Sequence, residues 1–199
     1  MTRTSISSTL GMFCLESVPR FFDHESQDPK TINCAQVPDY NIFLDEVARL
    51  LRPGGLFLSV EWTYQPTIHP RFQDVHIDQP PASIRFFSTI NQIIRGNGGG
   101  WLDGVQAANT IASSTQFTNI IREQILVPIG PWEPNEVLNR IGSTFRTVHE
   151  KLAITLGQTM VDSGMPPPAA NMLVSDYIAE LQMVGGLISV AHITYARRV

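Results

Sequence analysis

The stretch DYNIFLDEVARLLRPGGLFLSVEW, from Asp39 to Trp62, carries the pattern that decides the fold class of this 199-residue chain. Phe43, Val47 and Leu50, with Leu44 and Leu51 beside them, recur at three and four residues and make one apolar face of a helix. Asp39 is placed to cap its start, because a carboxylate there accepts from amides that the first turn leaves unbonded. Asp45 and Arg49 stand i,i+4 and are expected to pair on the wet side. Pro53-Gly54-Gly55 ends the helix, since proline cannot continue it and glycine tolerates the left-handed turn. LFLSVEW, Leu56 to Trp62, is apolar on both faces except for Ser59 and Glu61, which suits a strand buried between helix layers in a parallel sheet. Helix, tight turn and buried strand are half of an α/β unit, so the expected fold class is α/β.

Working outward, residues 63–82 contain four prolines and read as a loop. Residues 83–95 are expected to be helical, ending at the glycine run that begins with Gly96, and Asp103 to Ser114 forms a second, weaker helix. Phe117 to Gly130 is rich in β-branched residues and reads as a strand with a bulge, ended by Pro131 and Pro134. A long helix is expected from about Glu136 to Ser163. Its apolar stripe is Leu138, Ile141, Phe145, Val148 and Leu152, spaced 3-4-3-4, which marks it as core or partner-facing. Gly164 to Pro168 breaks that helix. Another runs from Ala169 to about Val184, and the alternating Leu187–Arg197 is the last strand. Residues 1–38 differ: six of the first nine are Ser or Thr, and no period persists. They are expected to be an irregular N-terminal segment, with 39–199 as the folded part.

Composition excludes several classes. Charged residues are 16%, below the usual ~25%, which suggests large buried or partner-covered surfaces. The formal charge of −4 and the absence of a basic run argue against nucleic acid as a partner. No apolar run approaches the ~20 residues needed to span a bilayer, so no membrane partner is expected. The N-terminus makes a poor secretory signal, because its apolar patch is short and no small-residue cleavage site follows. Cys14 and Cys34 match no zinc or redox spacing and are expected as reduced thiols in a cytoplasmic protein.

The residues VPDYNIFLDEVARLLRPGGLFLSVEW, Val37 to Trp62, resemble the helix and fifth strand of a class I S-adenosylmethionine-dependent methyltransferase, in the style of the methyltransferase-domain proteins of fungi. On that resemblance Phe117–Gly130 and Ser189–Arg198 correspond to its sixth and seventh strands. The expected architecture is a partial Rossmann-like sheet of strands five to seven, with a helical insertion before the last strand. The resemblance covers about Val37 to Val199, the C-terminal half of the family's fold. It implies a methyltransferase acting on a small-molecule acceptor, with S-adenosylmethionine as cofactor. The family holds that cofactor with a glycine-rich loop after its first strand and an acid ending its second. Here the only glycine before Gly54 is Gly11, in no GxG pattern, so no cofactor-binding residue carries over. The implied protein is therefore a relative lacking most of its cofactor half, truncated and inactive, or a non-catalytic binding or dimerisation module. A sheet cut in this way leaves an open flank, which a homodimer or another protein partner is expected to cover.

Candidate substrate-binding residues sit at the end of LFLSVEW and just beyond: Glu61, Trp62, Tyr64 and His69. Ligands of open α/β sheets bind outside the carboxyl ends of the strands. A carboxylate beside two aromatics there can hold an acceptor or take up its proton. The alternative is packing of Trp62 on the loop and pairing of Glu61 with an arginine. Asp74, His76 and Asp78 alternate with apolar residues, but two carboxylates and a histidine without fixed geometry define no metal site, and none is expected. Gly96-Asn97-Gly98-Gly99-Gly100 follows a helix, the wrong context for a phosphate cradle. Trp132 can lid an acceptor site or pin the helical insertion to the sheet, the second being favoured by aromatic packing. His149 and His192 read as satisfied structural histidines. No residue is assigned as catalytic.

Overall fold

Asp39 caps the first helix, accepting from the backbone amides of Asn41 at 2.8 Å and Ile42 at 3.4 Å, as its position before the apolar face requires. The structure is a computed structural model that describes residues 39–72, 80–96 and 103–199. Residues 1–38, with Cys14 and Cys34, lie outside the described part. So do the acidic and histidine residues at 74–78 and the glycine run beyond Gly96. The described chain contains α1 (Tyr40–Leu50), β1 (Leu56–Trp62), β2 (Thr67–Ile68), α2 (Pro81–Gly96), α3 (Gly104–Ser113), β3 (Phe117–Pro128), α4 (Glu136–Asp162), α5 (Pro167–Met183) and β4 (Leu187–Arg198). The α/β class stands, and a helical pair does precede the last strand.

The sheet has four strands in the order β1-β4-β2, with β3 also paired to β4. It is antiparallel, not the parallel sheet that LFLSVEW led us to expect. Thr67 pairs with Ile188 and Ile68 with Leu187 in antiparallel register. Gly54, before β1, donates to the carbonyl of Arg198, whereas Thr63, after it, donates to Val190. Val199 and Ile129 bracket β3 in the same way, donating to Gln116 and Leu187. β4 therefore runs against each of its neighbours. An unbroken apolar run does not encode strand direction, which is set by where the last strand enters. Nor is β1 fully buried on both faces: Phe57 and Ser59 are buried, and the alternate residues are half-exposed.

The chain divides into two compact units. Among described residues, the first holds 39–61, 103–123 and 192–199. Its core is Tyr40, Leu44, Ala48 and Leu51 from α1, Phe57 from β1, Ala107 and Ile111 from α3, Phe117 from β3 and Ala196 from β4. The inward face of α1 is thus turned slightly from the expected one, and Phe43 and Val47 pack at its margin. Gly54, at φ 76°, makes the left-handed turn that returns the chain into β1. The expected Asp45–Arg49 pair is not formed: Arg49 bonds Glu46 at 2.8 Å, and Asp45 accepts from Gln116 at 3.3 Å. The shorter i,i+3 reach and a tertiary partner for Asp45 win over the i,i+4 spacing. The irregularity expected within β3 sits at Asn119, whose φ is 50°.

The second unit holds 62–72, 80–96 and 124–191. Phe86, Phe87 and Ile90 of α2, Ile129 just after β3, Met160 of α4, Tyr177 and Leu181 of α5, and Leu187 and Ile188 of β4 are its largest buried side chains. The expected stripe on α4 is not the buried one. Leu138, Ile141 and Val148 are exposed, while Gly142, His149, Ala153, Gly157 and Met160 are buried. The reason is close packing: a Cβ on Gly157 would stand 2.5 Å from Val174 of α5, so small residues let the two helices meet. The N-terminus of α2 has no capping side chain of its own, since Pro80 and Pro81 stand there. Glu180 of α5 supplies one, accepting from the amides of Ala82 (2.8 Å) and Ser83 (2.7 Å) and from the Ser83 hydroxyl (2.5 Å). No helix among the described residues is long and apolar enough to cross a membrane.

Candidate functional site

Of the four residues singled out at the end of β1, Glu61 belongs to the first unit and Trp62, Tyr64 and His69 to the second. Glu61 is half-buried. Its Oε1 accepts from the Ser59 hydroxyl at 3.4 Å, and Ser59 lies 3.4 Å from the Tyr40 hydroxyl. α3 begins directly above this row. A Cβ on Gly104 would stand 2.7 Å from the His192 ring and 2.9 Å from the Glu61 carbonyl oxygen. His192 is buried on β4, and burial lowers its pKa, with Asp103 acting upward and Arg122 downward. Arg122 itself donates to Asn109. The first unit thus groups Tyr40, Ser59, Glu61 and His192 under the start of α3. Sequence reading found Glu61 but not this setting, because His192 and Gly104 come from distant segments.

In the second unit Trp62 packs its ring 5.3 Å from Phe145 of α4. Phe145 meets His149 at 5.2 Å, His149 meets Tyr177 at 6.3 Å, and Tyr177 stacks on Phe86 at 4.8 Å. Tyr64 approaches Phe87 at 6.5 Å. Trp62 and Tyr64 are therefore two half-buried ends of one aromatic series whose middle is buried.

The middle of that series is polar. His149 Nδ1 lies 2.7 Å from the Tyr177 hydroxyl and Nε2 3.2 Å from the Ser189 hydroxyl, all three groups buried. Burial pushes the His149 pKa down to about 4. Tyr177 is raised well above 10, first by burial and then by the Glu180 charge. Near neutral pH both rings are uncharged. The phenol is the better donor, so Tyr177 donating to Nδ1 and Nε2–H donating to Ser189 satisfies every group. The expectation of a satisfied structural histidine fits His149. Its partners were not legible, although the small residues at Ala153 and Gly157, four and eight positions on, mark the same closely packed face.

His69 has its own set of contacts. Its amide donates to Gly186 at 2.8 Å, its Nδ1 accepts from the Arg71 amide at 3.2 Å, and its ring meets Trp132 at 5.7 Å and Phe72 at 6.3 Å. Trp132 does pin the segment before α4 to the sheet, donating from Nε1 to the Leu187 carbonyl at 2.9 Å. The guanidinium of Arg71 lies 4.9 Å from both the Phe72 and the Trp132 ring. Among the described residues no group of three or more metal-type side chains is assembled. Compared with known proteins, the chain matches no family model and no curated sequence.

Proposed function

We propose that this chain is a methyltransferase-like protein that binds a small-molecule acceptor through the aromatic residues of its second unit. The observation that carries this reading is the set Trp62, Tyr64, Phe145 and Phe87, half-exposed at its ends, beside the carboxyl end of β1. Such rings suit a flat, apolar molecule. The order of elements supports it: α1, the LRPGG turn and β1 come first, then β3, a helical pair and β4. At the turn that follows β3 the described residues do not fit S-adenosylmethionine. Among them the glycine of positive φ that comes just after a long strand is Gly130, two residues beyond β3, at 95°. Its amide bonds the Gly142 carbonyl at 2.8 Å, and a Cβ on Gly142 would collide with the Gly130 carbonyl oxygen. α4 fills that turn, so it offers no cradle for a cofactor there. No step of methyl transfer is derived from these residues.

The second reading is a non-catalytic binding or dimerisation module. It is favoured by β3, where six consecutive residues, Ile121 to Leu126, are exposed. Ile121, Ile125 and Leu126 make that strand a surface for a second copy or another protein. Calorimetric titration of S-adenosylmethionine and of its demethylated product into the folded, monodisperse chain separates the two. Micromolar binding supports the enzyme. Absence of heat removes it and leaves the binding module.

A further inference from the structure

Arg71 stands in a box of aromatic rings closed by one carboxylate. Phe72 and Trp132 meet edge to face, 5.5 Å apart and at 83°, and the His69 ring meets both, at 6.3 and 5.7 Å. The guanidinium carbon sits 4.9 Å from both ring centres, within the range where a ring's negative face attracts a cation. Nη2 of Arg71 bonds Glu133 Oε2 at 2.9 Å. The two partners differ in exposure: the Arg71 side chain is 42% exposed and that of Glu133 only 11%. The carboxylate belongs to the interior, and the cation reaches in from solvent.

The walls are fixed independently of Arg71. Phe72 lies against Gly186, where a Cβ would stand 2.7 Å from its ring, and the φ of +84° there also demands glycine. Trp132 is held by its bond to Leu187. The turn carrying Trp132 and Glu133 is tied to α4 by Asn139, which donates to the carbonyls of Pro131 and Glu133 at 2.8 and 3.2 Å. A preformed box of this kind needs no rearrangement to accept a different cation.

We propose that His69, Phe72, Trp132 and Glu133 form a binding site for a small organic cation, a quaternary ammonium or substituted guanidinium, which Arg71 occupies in cis. The chemistry is that of aromatic cages: the rings favour a diffuse, weakly hydrated positive charge, and the nearly buried carboxylate requires one. An external cation competes with a side chain tethered next to the site, so the intact protein binds it weakly. Removing the tether leaves Glu133 without its counter-charge and opens the site. The proposal does not depend on the methyltransferase reading, because it concerns binding without S-adenosylmethionine.

The test is titration of tetramethylammonium chloride into the intact chain and into Arg71→Ala, followed by the indole N–H resonance of Trp132 and by calorimetry. tert-Butanol serves as the neutral probe of similar shape. Arg71→Ala is expected to bind tetramethylammonium at least tenfold more tightly than the intact chain does, and at least tenfold more tightly than it binds tert-butanol. Adding Glu133→Gln is expected to abolish the gain. Equal binding by Arg71→Ala and the intact chain overturns the proposal. So does equal affinity for the neutral probe, or a gain that survives Glu133→Gln. If Arg71→Ala does not fold, Arg71→Met keeps an apolar stem on the rings without the charge, and the same outcomes are read from it.

Discussion

Acidification tests the buried polar centre of the second unit. His149 titrates near pH 6.5 in an unfolded chain and at about 4 in the folded one, because burial disfavours the imidazolium. Between those values the unfolded chain binds more protons than the folded one. Stability from this group is therefore fully present above pH 6.5, falls as pH drops, and is lost by about pH 4. A gap of about 2.5 pH units at about 1.4 kcal/mol per unit gives a full loss of about 3–4 kcal/mol, of which about 3 kcal/mol falls above pH 4. Against a usual total of ~5–15 kcal/mol, that is a large fraction. The assay is urea unfolding of the intact chain and of His149→Gln at half-unit steps from pH 7.5 to 4. Carboxylates and His192 titrate in both proteins, so the difference between the two curves isolates His149. The intact chain is expected to lose its advantage by about 3 kcal/mol across that window. A difference that stays flat from pH 7.5 to 4 would refute the reasoning, since it would mean that His149 is as solvated in the folded protein as in the unfolded one.

Glu180→Gln keeps the size of the side chain but turns an amide NH2 toward at least one of the donors at the start of α2 and removes the charge that suits a helix N-terminus. A loss of about 2–3 kcal/mol is expected in chemical denaturation, and hydrogen exchange should show the first turn of α2 opening before the rest. Gly157→Ala sets a helix-propensity gain of up to ~1 kcal/mol against ~1–3 kcal/mol of overpacking on Val174. A net destabilisation of about 1 kcal/mol is expected, and a variant with a raised Tm would show that α4 and α5 are not packed as closely as described.

The local signals read well where the cause is local. The Asp39 cap, the stop at Pro53 to Gly55 and the extents of α4 and β3 depend on backbone sterics and on amides a few residues away, and each was found within a residue or two of its expected place. Faces read less well. On α4 the large apolar residues at 138, 141 and 148 suggested a core or partner-facing stripe; they are not in the core, whose side of the helix is carried by glycine, alanine and a histidine. A periodicity count weights bulk, whereas helix pairing here rewards smallness. The candidate site followed the same division. Trp62, Tyr64 and His69 were legible as polar-edged aromatics after a strand. Their ring partners were not, because Phe145 reaches Trp62, Phe87 reaches Tyr64 and Trp132 reaches His69 from segments far along the chain.

By itself the sequence determined the class and approximate ends of the longer elements, though not the short β2 inside the proline-rich stretch read as a loop, and the absence among those elements of any strongly charged or long apolar segment, since these follow from dihedral preference and composition. The tertiary structure alone decided that the sheet is antiparallel, because strand direction depends on where β4 enters. It alone decided that a glutamate on α5 caps α2, that Tyr177 and Ser189 satisfy His149, and that Arg71 lies between two rings over Glu133. Each of those arrangements joins segments far apart in the chain, and only the burial of one group against another gives it energy.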